Sequence, residues 1–138
     1  AVLDQGSHFH VLIVDDNILN IQILKKILSE AGFSQLTAIT DSTQTLKLYK
    51  EINPDLVLLD MLMPHLDGIS VLSKLRATPP SKKWIPVIII SALGEQDTIK
   101  RALDLQADHY LTKPVSIDGI IKAIEQMIKL IPIRNPET

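Results

Sequence analysis

The 138-residue chain has no cysteine, five glycines and few aromatic residues: one Trp, two Tyr and two Phe. Without thiols there is no disulfide framework, no thiolate zinc site and no cysteine nucleophile. With so few rings, any core must be built from Ile, Leu and Val. An excess of one charge is missing too, since 14 Lys and Arg face 16 Asp and Glu for a formal net charge of −2. That removes the electrostatic case for direct nucleic-acid binding. Long apolar runs are absent as well. A typical one is Val-Ile-Ile-Ile at 87–90, far short of the ~20 residues that a membrane-spanning helix needs. No basic segment followed by an apolar stretch opens the chain, so no signal peptide is expected and a cytoplasmic location is. What the chain does contain is 46% hydrophobic and 22% charged residues. This balance excludes disorder as the main state and suits one compact domain.

Short apolar runs alternate with amphipathic stretches. Strands are predicted at 10–14 (HVLIV), 34–39, 55–60 (DLVLLD), 85–90 and 108–111. Helices are predicted over 17–31, with Asn17 as cap and Gly32 as stop, and over 42–52, 67–77, 95–106 and 116–131. Residues 78–83 (TPPSKK) form a surface loop. Strands alternating with helices predict an α/β fold, a single doubly wound parallel sheet. Continuous apolar strands are what a sheet covered on both faces requires. Residues 1–8 are expected to be a disordered or extraneous N-terminal segment, 9–131 the domain, and 132–138 a C-terminal tail or the start of a linker.

In such a sheet, ligands bind beyond the carboxyl ends of the strands. Polar residues gather there: Asp15 and Asp16 after the first strand, Asp60 at the end of the third, Ser91 after the fourth and Lys113 after the fifth. Each alone has a plainer explanation, as a helix cap, a turn residue, a satisfied hydroxyl or an ordinary Lys-Pro loop. Their common edge argues for a site. Converging carboxylates repel unless a cation or proton intervenes, and an all-oxygen set suits Mg²⁺. Lys113 adds a positive point charge, and Ser91 adds a hydroxyl able to bond an oxyanion.

This set resembles the receiver domain of two-component response regulators. The resemblance rests on Asp15-Asp16 after HVLIV, Asp60-Met61-Leu62-Met63-Pro64 with Asp67-Gly68, Ser91-Ala92 after the fourth strand, and Ala107-Asp108-His109-Tyr110-Leu111-Thr112-Lys113-Pro114. It covers residues 9–131 and implies a flavodoxin-like sheet of order 2-1-3-4-5 flanked by five helices. It also implies that Asp60 is the phosphoacceptor, taking a phosphoryl group from a histidine kinase or a histidine phosphotransfer domain. Asp15, Asp16, Asp60 and the backbone carbonyl of Leu62 would hold Mg²⁺, with Mn²⁺ as an alternative. Ser91, Lys113 and the backbone N–H groups of Met61 and Ala92 would hold the phosphoryl oxygens. Ser91 and Tyr110 would form the switch toward an unknown output partner or effector domain, with a phosphorylation-dependent dimer as an open option. Such a module is a signalling switch that catalyses only its own phosphorylation and dephosphorylation.

On the first helix, Asn20, Ile21, Leu24, Ile27, Leu28 and Ala31 share the arc that should face the sheet, and Leu19 and Ile23 lie outside it. In the family this helix docks the phosphodonor, so Leu19 and Ile23 are the expected docking residues. Leu62 and Leu93, each two positions after a site residue, cannot orient a hydrolytic water, so slow dephosphorylation is expected. His65 and His109 form no metal pair and are expected to be exposed polar residues. Two alternatives stand beside this reading: a Mg²⁺-dependent phosphatase with an aspartyl nucleophile, and a scaffold receiver that is never phosphorylated. The first lacks the second carboxylate expected two residues after the nucleophile, where Leu62 stands.

Overall fold

Side-chain oxygens start the helices. Asn17 Oδ1 accepts the Leu19 N–H at 2.9 Å, Asp67 Oδ1 the Ser70 N–H at 2.8 Å, and Ser116 Oγ the Gly119 N–H at 2.9 Å. These satisfy amides that have no partner within their own helix. The computed structural model describes residues 8–63, 67–78, 84–92 and 94–135. Within them the order is β1 (His10–Val14), α1 (Ile18–Glu30), β2 (Gln35–Ile39), a 3₁₀ turn (Ser42–Gln44) leading into α2 (Thr45–Ile52), β3 (Leu56–Asp60), α3 (Gly68–Ala77), β4 (Val87–Ser91), α4 (Gln96–Asp104), β5 (His109–Thr112) and α5 (Ile117–Arg134). All strand pairings are parallel, as the sequence pattern predicts, and the order is β2-β1-β3-β4-β5, as the family resemblance implies.

Alternation within the strands gives the sheet two cores. Val11, Ile13, Leu56, Leu58, Ile88 and Ile90 pack with α1 and α5. Leu12, Val14, Val57, Leu59, Val87 and Ile89 pack with α3 and α4. On α1 it is Ile21, Leu24 and Leu28 that are fully buried, as the arc predicts. Gly32 ends that helix at φ 104°, a conformation that non-glycine residues rarely adopt, and lets the Phe33 N–H reach back to Leu28 O at 3.0 Å.

The chain departs from expectation at its C-terminal end. Instead of a tail from 132, α5 continues through Pro132 to Arg134. Tertiary contacts hold the last turn. Asn135 accepts the Trp84 N–H at 2.6 Å and donates its amide to Trp84 O at 3.0 Å, while the Arg134 guanidinium lies 4.2 Å from the Trp84 ring centre. Proline at 132 takes one N–H out of the last turn, and these contacts offset that loss. Among the described residues no helix is long and apolar enough to cross a membrane.

Candidate functional site

The ladder register builds the site. Val14 pairs with Leu59, so Asp15 and Asp60 leave adjacent strands side by side. Asp60 pairs with Ile90 and Ser91 with Thr112, which brings Ser91 and Lys113 to the same rim. The Lys113 N–H donates to Ser91 O at 2.8 Å and extends that ladder by one bond. Beyond β3, Gly68 lies so close that a Cβ would stand 2.5 Å from Met61 Cα and 2.7 Å from Asp60 O. Only glycine lets α3 begin against the strand end.

Carboxylate oxygens of Asp15, Asp16 and Asp60 lie within 4.8 Å of one another. Asp15 and Asp60 are buried and Asp16 is exposed. Asp15 Oδ1 accepts the Asn17 N–H at 2.9 Å. Asp60 Oδ1 accepts the Leu62 N–H at 3.3 Å and faces Lys113 Nζ at 3.1 Å. Asp60 is 2% exposed, whereas the Lys113 side chain is 35% exposed. Three hard oxygen donors on neighbouring strand ends fit a small divalent cation, and one lysine alone does not balance their charge.

Burial raises the Asp60 pKa above its usual 3.8, the Asp15 carboxylate raises it further, and Lys113 opposes both. The folded state therefore binds this proton more tightly than the unfolded chain. The resulting stabilisation is complete below about pH 3.8 and is lost as pH rises through the raised value. Above that value the ionised group opposes folding. In metal-free buffer at pH 7, Asp60→Asn is expected to raise Tm by about 3 °C, corresponding to about 1 kcal/mol for a chain this long. Thermal scans should show that gap closing under acid.

One expected contact is corrected. The Met61 N–H is donated to Ile90 O at 3.0 Å, within the β3–β4 ladder, so it is not directed at the site. The N–H presented to Asp60 belongs to Leu62. Ala92 is half-buried beside Ser91. Tyr110 is on β5 and 43% exposed. His109, expected to be exposed, is half-buried; Nδ1 accepts the Tyr110 N–H at 2.7 Å and Nε2 meets Gln126 Oε1 at 3.0 Å. Leu19 and Ile23 are 63% and 58% exposed. Ile23 also lines a cleft of about 240 Å³ shared with Asp15, Asn20, Lys113 and Val115. His65 and Leu93 lie outside the described residues. Sequence reasoning missed Glu95, whose Oε2 accepts the Ser91 hydroxyl proton at 3.1 Å. Its only signal was a carboxylate four residues after the site serine, which means nothing until the loop's path is known.

A family model described as response regulator receiver domain matches residues 11–125. Chemotaxis protein CheY of Listeria monocytogenes is 33% identical over 119 residues, covering 86% of this chain and 98% of that protein. The protein-glutamate methylesterase/protein-glutamine glutaminase of Trichodesmium erythraeum is 39% identical over 128 residues, 90% of this chain but only 36% of that much longer relative. The solved receiver domain of Francisella response regulator 1452 superimposes with a TM-score of 0.77 at 37% identity, covering 87% of this chain and 96% of that one.

Proposed function

Because the chain belongs to the response regulator receiver family, we propose that it is a phosphorylation-controlled switch with Asp60 as phosphoacceptor and residues 9–131 as the working unit. The observation that carries this reading is the Asp60 carboxylate, buried at a strand end, 3.1 Å from Lys113 Nζ and within 4.8 Å of two further carboxylates. An Asp60 oxygen attacks phosphorus in line. The bond to the donor breaks, and the leaving imidazole nitrogen, or acetate from a small donor, departs with its electron pair. Asp15, Asp16, Asp60 and the Leu62 carbonyl would hold Mg²⁺ or Mn²⁺, which would supply the charge neutralisation that phosphoryl oxygens need. Lys113 stabilises the developing negative charge, and the N–H groups of Leu62 and Ala92 and the Ser91 hydroxyl serve as donors. Movement of Ser91 toward the phosphoryl group and of Tyr110 behind it would change the α4–β5–α5 surface read by an output partner. The chain then catalyses only its own modification, in the cytoplasm, either alone or ahead of an effector.

Incubation with Mg²⁺ and acetyl phosphate tests this. The wild type should gain the mass of one phosphoryl group and Asp60→Asn none. Labelling of both, or of neither, rejects the assignment.

The apolar rim of α1 beside the cleft supports docking of the phosphohistidine partner there. Leu19→Asp and Ile23→Asp should each slow partner-driven phosphorylation about tenfold, as for a truncated hot spot. The acetyl phosphate rate should stay unchanged. Comparison of the two rates separates docking from chemistry.

A further inference from the structure

The Ser91 hydroxyl already has a partner. It is buried at the end of β4, and its proton goes to Glu95 Oε2 at 3.1 Å. A serine hydroxyl has one proton to donate, so Glu95 and a phosphoryl oxygen cannot both receive it. Helix capping does not explain where this carboxylate sits. Glu95 is the residue before α4, and its backbone is in place, with its N–H on Ala92 O at 3.3 Å and its C=O accepting from Ile99 at 3.1 Å. Its side chain nevertheless makes no cap bond to the helix. Nor can the strand adjust easily, because Ser91 O accepts the Lys113 N–H at 2.8 Å and Ser91 pairs with Thr112. What remains free to change is the rotation of the serine side chain.

We propose that Glu95 is a positioning residue that holds the Ser91 hydroxyl in the unphosphorylated state, a latch that the phosphoryl group must break and whose release frees the start of α4. The inference rests on the phosphoacceptor reading above. It makes the switch an exchange of acceptors on one proton: carboxylate before phosphorylation, phosphoryl oxygen after.

Beryllofluoride, a phosphoryl mimic, tests it by calorimetric titration at saturating Mg²⁺. Glu95→Ala should bind the mimic about tenfold more tightly, the worth of one charge-assisted hydrogen bond. Glu95→Gln, whose amide oxygen still accepts but is neutral, should fall between. In a Ser91→Ala background, removing Glu95 should change nothing. An equal gain there would mean simple charge repulsion and would overturn the latch. In metal-free protein, Glu95→Ala and Ser91→Ala should accelerate amide hydrogen exchange over residues 94–98 alike, with no further effect in the double variant; unchanged exchange in Ser91→Ala also overturns it. If the wild type fails to bind beryllofluoride, the phosphoacceptor reading falls and takes this inference with it. Wild-type binding with uncoupled variants overturns the latch alone.

Discussion

Phosphoryl transfer to Asp60 is expected to fall by about 10²–10³-fold in the Lys113→Ala variant, the usual effect of removing one preorganised donor to a developing anion. Among the described residues, Lys113 is the cation in contact with the cluster, with Nζ 3.1 Å from Asp60 Oδ1. Its removal leaves three carboxylates without that contact, and under the proposed function a phosphoryl group would add more negative charge. Lys113→Arg should recover little, because a planar fork cannot replace a compact ammonium at that distance. The measurement is the single-turnover labelling rate from acetyl phosphate at saturating Mg²⁺. A rate close to wild type would remove Lys113 from the mechanism.

The second large effect lies at the opposite end of the sheet and concerns folding. Arg76, near the end of α3, donates Nε and Nη2 to Gln106 O at 3.1 and 2.9 Å, Nη1 to Ile85 O at 3.2 Å, and Nη2 to Asp108 Oδ2 at 2.7 Å. Asp108 also accepts the Val87 N–H at 2.8 Å, and Arg134 stands 4.0 Å away. One guanidinium thus joins α3, the segment entering β4 and the turn between α4 and β5. Arg76→Ala takes the nearest cation from a largely buried carboxylate, which keeps the Val87 N–H and the more distant Arg134, and takes the donors from two carbonyls; it should destabilise the protein by about 3 kcal/mol, or about 10 °C in Tm. Chemical denaturation checks the loss. The folded fraction should still label on Asp60, since the knot lies beyond the other ends of the strands. Pairing Arg76→Met with Asp108→Leu should recover part of the stability, because it removes the unpaired charge as well as its partner.

Much of this was legible in the sequence because it depends on local pattern. Apolar runs alternating with amphipathic stretches announced a parallel sheet covered on both faces, and Asn17 signalled a helix start through its side-chain oxygen. Leu19 and Ile23 stood out because 100° steps place them off the buried arc. The carboxylates at strand ends were visible as a set because parallel strands all deliver their C-termini to one rim.

Other features depend on where separate segments meet. The Met61 N–H looked available until the β3–β4 register assigned it to Ile90 O. Pro132 read as the onset of a tail, but α5 runs past it because Trp84, about fifty residues earlier, holds Asn135 and stacks under Arg134. His109 read as an exposed polar residue, yet its ring covers the Tyr110 N–H and meets Gln126 on α5. By itself the sequence determined the layers, the strand ends and the residue types gathered there, because periodicity and capping act over a few neighbouring residues. Only the tertiary structure decided which donors remain available and which side chains already have partners, because a hydrogen bond belongs to whichever groups the packed chain brings within about 3 Å.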